Sequence, residues 1–194
     1  LDKESIIQQI FARYARLSPA DWELISPLVG FQNLSKGSFF IRPGAYNDQL
    51  GVVMKGCLRY FYLKEGEEIT GEFWQEGEII GSFESCILRQ PSTLYIEAIE
   101  PCEIITLSYP KLKELTVSIN QLDKIIIALL EKFIVESQLR IASYITETPE
   151  QRYLRLRDEM PNIEERVHQK YIASFVGVTP VTLSRIRGRL AKGN

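Results

Sequence analysis

With 194 residues and 22.3 kDa, 45% hydrophobic and 25% charged, the chain has the size and composition of an ordinary globular protein of one or two domains, which excludes a disulfide-stapled miniprotein and a disordered or collagenous chain. Its net charge of −2 is unevenly divided: residues 1–147 hold 14 Lys and Arg against 20 Asp and Glu, residues 148–194 hold 9 against 5, and no carboxylate side chain follows Glu165. Three cysteines without a C-x-x-C pair and one histidine, His168, starve zinc, haem and iron-sulfur schemes of ligands, so no cofactor is expected and a Ser-His-Asp hydrolase would depend on that one imidazole.

Residues 1–17 carry Ile6, Ile7, Ile10, Phe11 and Tyr14 at helical spacing. Ser18-Pro19-Ala20-Asp21 then offers an N-cap, a proline at the first helical position and a capping acid, so two short helices are predicted to open the chain. Between residues 31 and 107, turn dipeptides recur among alternating or aromatic-rich runs such as Cys57-Leu58-Arg59-Tyr60-Phe61-Tyr62-Leu63. About eight short strands in a jelly roll are expected there.

After Ser108-Tyr109-Pro110 the helical period returns, and Ser118-x-x-Gln121 reads as a capping box opening a long helix. Ile119, Leu122, Ile126, Leu129 and Phe133 form one seam, whereas Ile125, Leu130, Ile134, Ile141 and Ile145 lie outside it. Two apolar flanks suggest one packed on the β region and the other, assigned to the Ile119, Leu122, Ile126, Leu129 and Phe133 seam, pairing with a second copy in a parallel homodimer. The alternative is a helix buried wholly within one subunit. The longest aliphatic run, residues 125–130, is far below the roughly 20 residues that cross a bilayer. No membrane partner is expected, and without a signal-like segment the reading is cytoplasmic. Thr148-Pro149-Glu150-Gln151 is a further capping box, for a helix through Glu159.

Residues 169–190 carry a helix-turn-helix pattern. Ala173 is small where two helices approach, Gly177 can supply a positive φ, and Thr179-Pro180 gives the next N-cap and first position. Ile172, Val176, Val178, Leu183 and Ile186 would pack the pair together. Thr179, Val181, Thr182, Ser184, Arg185, Arg187 and Arg189, with Lys170 from the first helix, form the surface expected to meet double-stranded DNA. A plain αα-hairpin with a charged exterior is the bland alternative.

Over nearly its whole length the chain resembles the CRP/FNR family of bacterial transcription regulators, through Gly77-Glu78-Ile79-Ile80-Gly81-Ser82-Phe83, Cys102-Glu103-Ile104 and residues 178–186. The resemblance implies an α+β architecture: a cyclic-nucleotide-binding-like jelly roll with its N-terminal helices over residues 1–117, a long dimerisation helix over 118–146, and an all-α helix-turn-helix domain over 148–194 lacking a complete wing. It also implies RNA polymerase as a partner and a jelly roll that senses an unidentified small-molecule effector or has lost its ligand, with Gly81, Ser82, Phe83, Arg89, Ser92 and Thr93 around the effector site. Cyclic-AMP-responsive members carry a Glu and an Arg where this chain has Ser82 and Ser92. Burying a cyclic phosphate without a nearby cation costs several kcal/mol, which argues against an ordinary cyclic nucleotide unless Arg89 substitutes. A cyclic-nucleotide receptor with a variant cassette is therefore the alternative reading. A cupin-type enzyme is the remote one, because it needs a cluster of histidines.

Overall fold

The computed structural model describes residues 3–192, with side chains from Ser5 onward, so the expected helical start at Leu1 and Asp2 lies outside the described residues. Helix α1 is Lys3–Ala12 and α2 is Pro19–Ile25. The Ser18 box closes as predicted: the Asp21 N–H donates to Ser18 Oγ at 3.1 Å and the Ser18 N–H to Asp21 Oδ2 at 2.8 Å.

Eight strands follow among the described residues: β1 (Val29–Leu34), β2 (Phe39–Ile41), β3 (Gln49–Lys55), β4 (Leu58–Lys64), β5 (Glu67–Trp74), β6 (Ile79–Ile80), β7 (Tyr95–Ala98) and β8 (Cys102–Ser108). They form two antiparallel four-stranded sheets, ordered β1-β8-β3-β6 and β2-β7-β4-β5, facing each other as a jelly roll. In the first sheet both faces are covered, which explains apolar doublets where alternation would be expected. Val53 and Ile104 point between the sheets, while Val52 and Ile105 point outward onto α1, α2 and the helices that follow the roll. The β4–β5 hairpin turns on Glu65 and Gly66, with φ of 54° and 84°, the paired left-handed residues that a two-residue turn requires.

Two short helices interrupt the expected pattern. The region read as all β contains α3 (Phe83–Leu88), capped by Ser82, and after β8 comes α4 (Tyr109–Leu115). The chain continues turning through Ser118, whose N–H donates to the Leu115 carbonyl, so Ser118 closes α4 instead of opening the long helix. That helix, α5 (Asn120–Thr146), starts after Ile119 without a side-chain cap, and burial of Ile119 fixes its entry.

The dimer seam read from sequence needs correction. Ile119, Leu122 and Ile126, together with Ile125, are buried in the protomer's own core against α1, α2 and α4; Leu129 packs on the same cluster, and the Phe133 ring meets Phe83 at 4.6 Å. The physical reason is helical phase: Ile119, Leu122, Ile126 and Leu129 share the side of α5 that faces the roll and one core takes them, while Phe133 beyond it stays 43% exposed. What α5 leaves in water is a different stripe, with Ile127, Ile134, Ile141 and Ile145 all more than half exposed.

Four helices complete the fold: α6 (Pro149–Glu159), α7 (Ile163–Arg166), α8 (Gln169–Val176) and α9 (Pro180–Ala191). The Thr148 box forms, with the Thr148 N–H donating to Gln151 Oε1 at 2.8 Å. Their core of Tyr153, Leu156, Ile172, Val176, Leu183 and Ile186 continues into the roll through Cys57, Phe73 and Ile99.

Candidate functional site

The helix-turn-helix assembles from the residues that encode it. Gly177 ends α8 at φ 80°, and the Val178 N–H reaches back to the Ala173 carbonyl at 2.9 Å, a Schellman closure that only a left-handed residue allows without strain. Thr179 caps α9, its Oγ1 accepting from the Thr182 N–H at 3.2 Å and lying 3.0 Å from Thr182 Oγ1, so both hydroxyls serve the cap first. His168 caps α8 through Nδ1, an ordinary structural use of the single imidazole. Leu183 and Ile186 point inward, leaving Val181, Ser184, Arg185, Gly188 and Arg189 exposed on α9.

The basic field is narrower than the sequence count suggests. Arg187 pairs with Glu164 at 3.0 Å, Arg189 with Glu150 at 2.7 Å, and Arg166 with Glu76 and Glu100 at 2.8 and 2.5 Å. Arg187 and Arg189, expected on the DNA surface, thus already have carboxylate partners on α7 and α6, pairs that are exposed, screened and weak enough for phosphate to displace. Arg185 stays exposed with no ion pair among the described residues, and Lys170 rests over the Tyr171 ring at 4.7 Å.

Sequence reasoning missed how α8 is fastened to the roll. Arg59 on β4 has no solvent exposure. It donates to Glu97 Oε2 from Nε and Nη2 at 2.9 and 2.7 Å, to Glu68 at 2.5 Å and to Thr70 Oγ1 at 3.2 Å. Its guanidinium lies between the Phe61 ring, 4.1 Å away, and the Tyr171 ring of α8, 3.5 Å away. Beside it, Ser174 Oγ donates to the Glu68 carbonyl at 2.8 Å and accepts from the Thr70 N–H at 2.9 Å, which occupies the open edge of β5. Arg152 serves the other side, donating to carbonyls of Ser143, Glu147 and Val176 where α5 and α8 end.

Inside the roll, a cavity of about 380 Å³ lies between the second sheet and α5. Gly81, Ser82 and Phe83 are among its lining residues, with Tyr60, Tyr62, Trp74 and Phe133, and Glu72, Glu84, Glu136 and Arg140 are its charged groups. The register of β4 on β5 shifts at Gly71, so Tyr60 faces Glu72 while Phe61 faces Thr70. This bulge turns Glu72 inward after Thr70 has faced Arg59. A Cβ at Gly71 would collide with the Tyr60 ring, so Gly71→Ala is expected to cost about 1–3 kcal/mol in urea unfolding through displacement of that ring. Arg140 pairs with Glu72 and donates to the Gly71 carbonyl. Burial raises the phenol pKa of Tyr60 and Tyr62, the latter further through Glu84, so both rings stay neutral.

The other expected pocket residues fall elsewhere. Ser92 is buried with its Oγ 3.3 Å from Ser82 Oγ, and Thr93 donates to Glu84. Arg89 is a correction: it ends α3 with φ 55° and lines a separate groove with Cys86, Tyr109 and Lys113, because the left-handed cap directs it away from the cavity. Cys86 and Cys102 are pushed up to about 11 by burial and Cys57 is also raised, which keeps all three as inert thiols at neutral pH.

Residues 31–118 match the family model of the cyclic nucleotide-binding domain. No curated protein matches the chain in sequence. Among solved structures, the c-di-GMP responsive global regulator CLP of Xanthomonas campestris aligns with a TM-score of 0.70 at 16% identity, over 90% of this chain and 92% of its own. FixK2 from Bradyrhizobium japonicum aligns at 0.72 and 16% identity, over 84% and 85%. The Thermus thermophilus catabolite activator protein aligns at 0.54 and 20%, over 91% and 84%. Residues 31–118 are thus similar to the cyclic nucleotide-binding domain, and the chain as a whole shares the fold of these solved regulators. Among the described residues no helix is long and apolar enough to cross a membrane.

Proposed function

We propose that the chain is a sequence-specific DNA-binding transcription regulator that acts as a homodimer and whose roll cavity takes a small-molecule effector. The observation that carries this reading is the outer face of α9, where Val181, Ser184, Arg185, Gly188 and Arg189 stand exposed on a helix without a single carboxylate side chain. Such a face suits the major groove, with the Arg185 fork able to take guanine O6 and N7 together. RNA polymerase as a partner rests on the family resemblance and on nothing further.

The cavity offers a route from effector to DNA-binding helices. Arg140 lies in its wall, and one helical turn later the Tyr144 hydroxyl donates to the Phe175 carbonyl of α8. Movement of α5 at the cavity would thus be felt at α8. A cyclic nucleotide is a poor occupant in this reading: Ser82 and Ser92 satisfy each other, and Arg89 faces a different groove. Cyclic AMP and cyclic GMP are expected to bind no more tightly than about 1 mM by calorimetry, equivalent to about −4 kcal/mol. A saturable micromolar isotherm would instead restore the variant-cassette reading.

The DNA interface is tested on a site selected from genomic fragments. Arg185→Ala is expected to lose about 1–3 kcal/mol on that site and to relax preference at one base pair per half-site. Lys170→Ala should weaken all sequences alike and reduce the salt slope by about one unit. If Arg185→Ala changes neither affinity nor base preference, α9 does not read DNA in this register.

A further inference from the structure

Tyr60, Tyr62 and Trp74 line the roll cavity, with Tyr60 packed against both other rings. The Tyr60 and Tyr62 rings are 5.9 Å apart at 82°, and Tyr60 and Trp74 are 5.3 Å apart at 46°. Phe83 and Phe133 close the side toward α5. The nearly perpendicular Tyr60 and Tyr62 rings form the kind of corner found in aromatic cages, where a compact cation can meet two negative ring faces; a flat heterocycle would be served better by parallel rings.

The charges point the same way. Three carboxylates, Glu72, Glu84 and Glu136, line the cavity against one cation, Arg140. Arg140 is already engaged by Glu72 and by the Gly71 carbonyl, and an anionic ligand would have to compete with that carboxylate. The exposed Glu84 accepts a neutral hydrogen bond from Thr93 and has no ion pair among the described residues. Glu136 meets Lys132 at 3.6 Å, but both side chains are about half exposed, so that pair is screened and weak. The cavity therefore holds an excess of negative charge beside neutral aromatic faces, and its volume suits a small organic molecule.

From the cage and this charge balance we infer that the effector is an organic cation, an amine or quaternary ammonium on an apolar body, seated between Tyr60, Tyr62 and Trp74 with Glu84 and Glu136 supplying the counter-charge. This rests on the reading of the cavity as the effector site.

Calorimetry with benzyltrimethylammonium, its neutral isostere neopentylbenzene and the anion 3-phenylpropionate separates the possibilities. Saturable binding of the cation is expected, about tenfold tighter than the isostere, with the anion weaker still. Glu84→Gln and Glu136→Gln should each weaken the cation by severalfold and leave the isostere unchanged, and neither residue is needed for the core. Trp74→Leu should abolish the cation's preference, with a thermal melt confirming that the variant folds. Equal binding of cation and isostere, tighter binding of the anion, or no binding by any probe overturns the inference. DNA binding on the selected site is measured on the same preparation without probe. Its loss would overturn the regulator reading, whereas its retention beside a failed cation experiment would confine the failure to the ligand class.

Discussion

Arg59→Ala is expected to lower the free energy of unfolding by about 3–5 kcal/mol, measured by urea denaturation of the full chain. The guanidinium is fully buried, and removing it leaves Glu97, only 15% exposed, without its cation and strips Thr70 and Glu68 of a donor. The Tyr171 ring loses the plane on which it lies, so α8 should loosen from β5 before the roll itself opens. Limited proteolysis near residue 168 is the corresponding local readout. The double replacement Arg59→Met with Glu97→Leu is expected to recover most of the loss, because replacing a buried ion pair by apolar residues removes the orphaned charge. A loss below about 1 kcal/mol for Arg59→Ala would mean that the carboxylates rehydrate and that the clamp contributes little.

This clamp shows where reading the sequence stops. Arg59 sits within an aromatic-rich strand run, and its spacing is that of any alternating strand; nothing local reveals that Tyr171, more than a hundred residues later, covers it. Arg152 is hidden for the same reason, since its partners are backbone carbonyls at the ends of two helices, α5 and α8, the latter more than twenty residues away in sequence. Features set by near neighbours were legible. Ser18 with Asp21, Thr148 with Gln151, and Gly177 followed by Thr179-Pro180 fix their turns through bonds spanning a few residues, and all three form as written. Ser118 is the instructive exception, because its capping pattern competed with a continuing turn of α4 and with burial of Ile119, and the buried side chain won.

For the site, the two positions matched through the family resemblance do meet, Ser82 against Ser92. The cavity's aromatic and acidic lining was not legible, because it depends on a bulge at Gly71 that exchanges inward and outward faces of β5. Both faces of this sheet then carry function-bearing groups within a few residues. Thr70 faces the clamp on α8, and Glu72 faces the cavity. A ligand that shifts Glu72 or Tyr60 would therefore strain the strand that holds α8, a second path beside that of α5.

Ile134→Glu together with Ile141→Glu is expected to convert a homodimer into monomers by light scattering and to weaken binding to a two-half-site operator by about 10²–10⁴-fold. Ile127, Ile134 and Ile141 are spaced seven residues apart along α5, the repeat that lets a helix pair with its own copy. Ile134 and Ile141 are 54% and 61% exposed, so the substitutions should leave the protomer's thermal unfolding nearly unchanged. Ile126→Glu makes the contrast: at 4% exposure it introduces a carboxylate into the core and is expected to unfold the chain instead of dividing it. If α5 links two copies, that linkage would give the second half-site its effective concentration, so the monomer should keep base preference on a single half-site while losing the dependence on half-site centres about 34 Å apart. A monomeric unmodified chain at micromolar concentration, or a double variant that remains dimeric, would remove the exposed stripe as the pairing surface.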